Sequence, residues 1–498
     1  MADAKPNKPA KPTKSSKSRQ LQRPKGTRDV YPEDMLRHRY IAQAWRDTAI
    51  RHGFDEIDGP TFEDSELYAV KSGEGILGEL FQAFSGKDPK DVEFIKEHER
   101  AQLALRPEFT PTLARMYAAR AKQLPSPTKW FCVSNFFRAE RPQRGRLREF
   151  WQWNCDILGC DSDGYGETMD ADMFAVVVDL AVGVGLSPNV VRLNYSDRRW
   201  VADCLQRSGV SEDDMSAALQ LLDARLKLDD EVFRDQASAM QLDIDSFDAA
   251  VKVRGEPDGF LGANSQFFTD ELADAIASSA HDGWEQYEWH RWDSSIVRGL
   301  AYYTGTVFEL IADGERAVAG GGRYDNLIEL FGGPPTPAVG FGMGDVVLSL
   351  LLEDKGLMPD GPALLDALSR PSASLRPEAF VVTPDGEHDG DVRTLVADLR
   401  RGIESEAYRE RDDAKPWDAD RYAVDAGGVP PLHARQSYKA TRKVPKLMQD
   451  AIGQHAKTLV IIENEEHATV QDLDRKEKHE RVLLADVGRK VAEIVAQS

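Results

Sequence analysis

The chain has 498 residues, with 63 Lys and Arg against 84 Asp and Glu, for a formal net charge of -21. With 41% hydrophobic and 30% charged residues it reads as globular and long enough for two or three domains. Its acidity argues against non-specific coating of nucleic acid, but leaves room for one RNA met through local basic patches.

No apolar run approaches the length of a membrane span. Cys132, Cys155, Cys160 and Cys204 form no CxxC pair and have no ligand spacing with histidine. That speaks against a disulfide framework or a zinc site and fits a reducing, cytoplasmic setting.

Residues 1–24 are rich in Lys, Pro and Ser with little to bury, which predicts a disordered basic tail. Order is expected to begin at Lys25-Gly26-Thr27-Arg28-Asp29. A helix then runs from Pro32 or Glu33 to about His52, with Leu36, Tyr40, Ile41, Ala44 and Trp45 at helical spacing and Gly53 as its stop. Phe54 to Phe62 reads as a short strand broken at Gly59-Pro60. Ala101 to Arg106 reads as another, followed by a turn, Pro107-Glu108-Phe109-Thr110, into a helix.

Five arginines then fall within eleven residues, Arg138, Arg141, Arg144, Arg146 and Arg148. Pro142 and Gly145 keep this stretch out of a helix interior. Trp151, Trp153, Cys155 and Ile157 alternate behind it as in a half-buried strand. The pattern predicts two strands joined by a loop of guanidiniums, suited to forked contacts with phosphate or carboxylate oxygens. A solvated surface loop is the plainer alternative.

About 197–280 is helical, acidic sequence and reads as an inserted helical domain. Strand-like sequence returns from Glu288 to Leu310, around Arg298-Gly299-Leu300-Ala301-Tyr302-Tyr303. Val318 to Asp325, with Gly320-Gly321-Gly322 inside it, and Gly340-Phe341-Gly342-Met343-Gly344 follow, the latter leading into an apolar helix. Residues 354–377 carry Pro, Gly and Ser, so 361–377 is assigned as a linker. The remainder, 378–498, alternates strand and helix as a small α/β domain. Inside it lies a basic stretch, Arg435, Lys439, Arg442, Lys443 and Lys446, with Tyr438 interleaved.

These residues together resemble the histidyl-tRNA synthetase family of class II aminoacyl-tRNA synthetases. Lys25 to Asp29 with Pro32 is similar to the family's opening, and Leu105 to Thr110 to its substrate-binding turn. Phe137 to Gly159 resembles motif 2, Arg298 to Tyr303 the family's histidine signature, and Pro337 to Gly344 the start of motif 3. The resemblance implies an α+β fold: an antiparallel sheet flanked by helices over 25–360, the helical insertion, and a C-terminal anticodon-binding α/β domain. It also implies a homodimer formed through about Glu33 to Pro60, with no membrane association. The substrates would be L-histidine, ATP with Mg²⁺, and tRNA-His.

The implied roles are specific. Arg138 would contact the α-phosphate, and Arg298 the histidine carboxylate and the charge developing between the two. Asp156 would accept from one imidazole N–H and Tyr303 pair with the other nitrogen. Tyr324 would pack on the ring beside Tyr302. Glu108, Thr110 and Gln152 would hold the ammonium and its neighbours, although Thr110 alone could equally be a helix N-cap. Arg141 and Arg144 would add to ATP binding, and with Gln143 would approach the acceptor stem. Arg435, Lys439 and Arg442 would meet the anticodon. No metal ligand is assigned.

Two departures from the family pattern matter. Ala301 stands where Asp is usual, and Val347 where motif 3 carries an ATP-gripping arginine, while Asp345 reads as a helix N-cap. They keep two other readings open: a catalytically inactive paralogue regulating histidine biosynthesis, and a non-enzymatic tRNA-binding protein. The C-terminal domain weighs against the first. Retention of Arg138, Arg298, Glu108 and Gln152 together weighs against the second.

Overall fold

The computed structural model describes residues 22–72, 80–159, 165–225, 228–252, 276, 289–293, 295–298, 302–312 and 317–497. The basic tail up to residue 21, Cys160, Gly299-Leu300-Ala301 and most of the insertion after Lys252 lie outside the described residues.

The first helix, Pro32–Arg51, starts on Pro at its first turn with Glu33 and Asp34, and His52 closes it. Gly53 follows at φ +80°, the left-handed geometry that ends many helices and that glycine adopts without strain. The chain then enters β1 (Asp55–Glu56), the edge of the main sheet. Strands β2 (Phe62–Asp64), β3 (Gln82–Ala83) and β4 (Leu103–Leu105) make a small antiparallel sheet in the order β2-β4-β3.

The main sheet continues with β5 (Thr128–Phe137), β6 (Glu149–Leu158), β7 (Val191–Asp197), β8 (His290–Trp292), β9 (Thr306–Ala312), β10 (Ala319–Arg323) and β11 (Ala338–Gly344). Its order is β1-β5-β6-β11-β10-β9-β7-β8. The two edge pairs, β1 with β5 and β7 with β8, are parallel and the rest antiparallel. β5 and β6 are the hairpin around the arginine loop, paired from Thr128↔Leu158 to Phe137↔Glu149.

The alternation in β6 divides its side chains between two environments. Trp153, Cys155 and Ile157 enter the large core with Trp45, Phe174 and Phe341. Asn154 and Asp156, on the alternate positions, are 4% and 3% exposed. A strand buried on both faces with acid and amide on one of them is costly unless those groups find partners. That face is therefore where chemistry is expected.

Helices Arg198–Arg207, Met215–Ala224, Asp230–Ala239 and Ile244–Lys252 fill the insertion and form a core of their own around Trp200, Leu205, Leu222 and Phe233. The segment assigned as a linker differs from expectation. It carries the helix Gly361–Leu368, which buries Leu364 and Ala367 and packs on the first helix. Its Pro362 sits in the first turn, where proline is tolerated, so the residue that suggested a linker begins a helix.

The C-terminal sheet has the order β13-β12-β14-β15-β16, from β12 (Ala379–Val382), β13 (Ala434–Gln436), β14 (Thr458–Ile462), β15 (His467–Asp472) and β16 (Lys478–Leu483). Helices Asp389–Arg401, Val444–Gly453 and Val487–Ala496 accompany it. Among the described residues no helix is long and apolar enough to cross a membrane. Cys132, Cys155 and Cys204 are buried.

Candidate active site

A cleft of about 2070 Å³ lies over the polar face of the sheet. It is walled by the arginine loop, the 107–110 turn, Arg298 with Tyr302 and Tyr303, and the insertion through Asp223, Arg225 and Asp248. Its floor is made by glycines. In one row across the sheet, Asn154, Gly342, Gly320, Glu309 and Asn194 are paired in register. In the next, Asp156, Gly340, Gly322 and Val307 are.

Side chains fill the places the missing Cβ atoms leave. A Cβ on Gly320 would lie 2.7 Å from Arg298 Cζ, and one on Gly322 2.8 Å from the Tyr303 ring. One on Gly340 would lie 2.7 Å from Asp156 Cγ, and one on Gly342 3.0 Å from Gln152 Cδ. Each of four proposed substrate groups thus rests on bare backbone, as the close approach of functional groups to a strand requires. The sequence signal was there as Gly-Gly-Gly and Gly-x-Gly-x-Gly, but its meaning depends on the strand register.

Arg298 is held at φ +52°, an unusual conformation for a side-chain-bearing residue. Its carbonyl accepts from Arg198 Nη1 at 3.1 Å and its Nη1 pairs with Glu309 Oε1 at 2.5 Å. Burial alone would weaken its charge. Tyr303 and Glu309 outweigh burial and hold the guanidinium more firmly protonated than usual. Its Nε is buried with no partner among the described residues, as is Gln152 Oε1, whose Nε2 donates to Asn154 at 2.9 Å. An orphan donor and an orphan acceptor in one cleft suit a zwitterion with a carboxylate and an ammonium.

Asp156 accepts the Tyr324 hydroxyl at 2.5 Å. Burial pushes its carboxyl up to about 7, the Tyr324 hydrogen bond draws it down and the charge of Glu108 raises it further. Tyr302 donates to Glu108 at 3.4 Å and its ring meets that of Tyr324 edge-on at 5.9 Å. Tyr303 is hydrogen-bonded to both Tyr302 and Arg298. Arg138 is fixed by its Nε donating to Pro107 O at 3.1 Å and by the Phe150 ring 5.0 Å away, and its burial makes the charge harder to hold. An anion beside it would relieve that strain.

Other expected residues are placed differently. Thr110 is the first helical residue of Thr110–Ala118 and Phe109 stands at the N-cap, so Thr110 is not the cap. Its side chain instead reaches the Tyr302 hydroxyl. Asp345 is not a cap either, because Gly344 holds that position. Its buried carboxylate accepts the Trp151 amide at 3.0 Å and pairs with Arg28, tying the opening segment and motif 3 to β6.

In the loop, Arg141 and Gln143 line the cleft, whereas exposed Arg144 pairs with Asp354 at 2.9 Å outside its lining. Arg146, which sequence reasoning did not single out for the site, lines the cleft and pairs with Glu140. Val347 faces the cleft as an apolar, buried residue.

The C-terminal basic stretch is largely matched by acids. Lys439 pairs with Asp450 at 2.9 Å and Arg442 with both oxygens of Asp389 at 2.7 and 2.6 Å. Arg435 turns inward instead, with Nε on His433 at 2.9 Å and Nη2 3.7 Å from Asp55 of the catalytic domain. A local count of positive charge does not register such long-range partners.

A sequence model of the family described as histidyl-tRNA synthetase matches residues 26–345. The chain is 34% identical over 402 residues to a histidine–tRNA ligase of Thermococcus kodakarensis, covering 78% of this chain and 84% of the relative. The chain belongs to the histidyl-tRNA synthetase family. A histidine–tRNA ligase of Haloarcula marismortui is 37% identical over 392 residues, covering 76% and 86%. Among solved structures, the histidine–tRNA ligase subunit of Alicyclobacillus acidocaldarius shares the fold at a TM-score of 0.51 and 23% identity, covering 68% of this chain and 98% of that one. The ATP phosphoribosyltransferase regulatory subunit/histidyl-tRNA synthetase from Bacillus halodurans C shares it at a TM-score of 0.52 and 20% identity, covering 90% and 100%. For a histidyl-tRNA synthetase family member the glycine floor, Glu309, Arg146 and the Arg28–Asp345 tie are the features that sequence reasoning passed over.

Proposed function

We propose a course for the ligase reaction that family membership assigns to this chain: activation of L-histidine by ATP, then transfer to the 3′ end of tRNA-His. The observation that carries it is the convergence of Arg138, Arg298, Glu108 and Gln152 on one cleft, with Asp156 buried behind its wall and joined to it through the Tyr324 hydroxyl. Asp156, with Tyr324 and Tyr303, receives the imidazole, which needs one acceptor and one donor partner. A ligand lacking those nitrogens leaves the buried carboxylate with the Tyr324 hydroxyl alone, a basis for rejection. Gln152 and Glu108 take the ammonium.

The histidine carboxylate oxygen attacks the α-phosphorus of ATP, the bond to the β-phosphate oxygen breaks, and pyrophosphate leaves. Arg298 and Arg138 bracket the charge that builds between carboxylate and phosphate, and because they are already fixed they need little reorganisation. In the second step a 3′-terminal ribose hydroxyl attacks the histidyl carbonyl, loses its proton and releases AMP.

Among the described residues no group of three or more His, Cys, Asp or Glu could hold a metal ion. Glu140 and Glu309 line the cleft, which fits Mg²⁺ arriving on ATP, with phosphate and water oxygens as most of its shell. When bound it would neutralise phosphate charge. Arg141, Gln143 and Arg144, exposed on the loop, would meet the acceptor stem, and the exposed Lys439, Arg442 and Lys443 of the last domain, without the inward-turned Arg435, the anticodon. Exposed Met35 within 33–60, with exposed Val30, Tyr31 and Phe62 just outside its two ends, supports a homodimer through this region. The setting is cytoplasmic.

The test is pyrophosphate exchange into ATP. Exchange that requires histidine is expected. Exchange without an amino acid, or equally with several, would sink the reading.

A further inference from the structure

The helix Tyr165–Gly183 touches both the site and the C-terminal domain. At its far end, Asp179 receives Arg401 Nε at 2.7 Å and His52 Nε2 at 2.9 Å, all three deeply buried. Arg421 of the C-terminal domain donates to the last carbonyls of the same helix, Gly183 O at 3.1 Å and Val182 O at 3.3 Å. Carbonyls in a helix's last turn lack partners within the helix and carry its negative dipole end, so two buried guanidiniums form a strong clamp there.

Nine residues nearer the start, about 13 Å along the axis, Asp170 is 4% exposed and receives Arg323 Nη2 at 2.9 Å. Arg323 is the residue before Tyr324, the partner of Asp156. Its carbonyl accepts the amide of Thr304, the residue after Tyr303, at 2.8 Å. One guanidinium therefore fixes the backbone beside both tyrosines of the imidazole pocket.

We propose that this helix couples docking of the C-terminal domain to the histidine pocket, with Arg401 and Asp170 as positioning residues at its two ends. A helix is stiff along its axis, and ion pairs this buried tolerate little displacement. Loosening the clamp at Asp179 shifts Asp170, and through Arg323 it shifts Tyr303 and Tyr324. Among the described residues the ion pairs of the helix run to Arg323, Lys129, His52 and Arg401 and not to the arginine loop that would meet the nucleotide. The effect is thus selective for histidine and is felt before any tRNA is present. This proposal rests on the functional reading above.

The test uses the full chain in pyrophosphate exchange without tRNA. Arg401→Gln should raise the KM for histidine about fivefold or more, the lower end of ordinary coupling between sites, with the KM for ATP unchanged. Arg401→Lys should restore most of it. Asp170→Asn should raise the histidine KM too, and the double variant should fall short of the product of the two effects, as residues on one path do.

Linkage requires the reverse effect in the unmodified protein. Histidine should slow amide hydrogen exchange in Asp389–Arg401, a measurement that stands even if a variant fails to fold. An unmodified chain that exchanges with histidine beside an Arg401→Gln variant with unchanged histidine KM would overturn the coupling alone. So would an equal rise in both KM values, or no change in amide exchange. An unmodified chain with no histidine-dependent exchange would overturn the functional reading beneath it.

Discussion

Replacing Asp156 by Asn separates what this carboxylate does for the fold from what it does for the substrate. In the folded protein burial holds its pKa at about 7, against 3.8 for an ordinary aspartate. Between those values the folded chain keeps a proton that the unfolded chain has lost. Stability from this group therefore falls as pH rises from about 4 to 7, and stays low above that. About three pH units correspond to roughly 4 kcal/mol in full, of which roughly 2 to 3 kcal/mol accrue between pH 5 and pH 8. Asn has no such titration, and its oxygen can still accept the Tyr324 hydroxyl. The stability of Asp156→Asn relative to the parent should thus improve by roughly 2 to 3 kcal/mol on going from pH 5 to pH 8.

Histidine binding should move the other way. A hydrogen bond to a charged group is worth about 1.5 to 3 kcal/mol, so the KM for histidine should rise roughly tenfold to a hundredfold. Urea unfolding of both proteins at the two pH values, with histidine titrations in the exchange assay, measures both halves. A stability difference identical at pH 5 and pH 8 would refute a carboxylate held up by burial. An unchanged histidine KM would refute its contact with the imidazole.

Arg298→Lys should lower kcat for exchange roughly a hundredfold or more, far more than it weakens histidine binding, since lysine keeps the charge but loses the planar fork; an unaltered kcat counts against a transition-state role. Gly320→Ala should have a similar kinetic effect with the fold retained, because its methyl would occupy the place of the Arg298 guanidinium; normal exchange in a folded Gly320→Ala protein would contradict the glycine floor. Arg141→Ala should raise the KM for ATP and Arg144→Ala should not, since only Arg141 lines the cleft; steady-state ATP titrations decide this, and equal effects would mean the loop rearranges wholesale. His52, pushed down to about 4 by burial and by Arg400, must be neutral when the domains are docked. Its contribution is present above pH 6.5 and is lost as pH falls towards 4, so His52→Gln should flatten that acid loss by roughly 3 kcal/mol; an unaltered pH slope of unfolding would rule this out.

Much of the fold was legible because its signals are local. The first helix shows its apolar spacing and its stop, and the β5–β6 hairpin shows alternation on one side of a loop that Pro142 and Gly145 keep irregular. The substrate groups were legible one at a time, through a family resemblance. What was not legible depended on residues far apart in the chain. Asp345 looks like a cap until Arg28, 317 residues away, and the amide of Trp151 are seen to use its oxygens. Arg435 looks like part of an RNA-facing stretch until Asp55 and His433 are found beside it. The helix Gly361–Leu368 is too short to show periodicity, its Gly361-Pro362 start reads as a linker, and it packs on the first helix.

The resemblance implies an ATP-gripping arginine where Val347 stands, and the walls of the cleft offer other cations. The helix Asp345–Asp354 brings an apolar residue to the cleft at that position, so under the proposed function positive charge for the triphosphate would have to come from the other walls. Five arginines line it among the described residues: Arg138, Arg141, Arg146, Arg225 and Arg298. Arg138 is held by Pro107 and Arg298 by Glu309, and the proposed function assigns both to the reacting end. Arg146 and Arg225 are each paired with an acid, Glu140 and Asp248, and Arg225 holds both oxygens of its partner at 2.6 and 2.8 Å. A polyanion entering between them competes for guanidiniums that are already charged and already placed, and phosphate offers them the same forked geometry as carboxylate. Arg146 belongs to the arginine loop and Arg225 to the insertion, so under the proposed function an ATP molecule taking one partner from each would bridge the two walls with positive charge that Val347 does not bring.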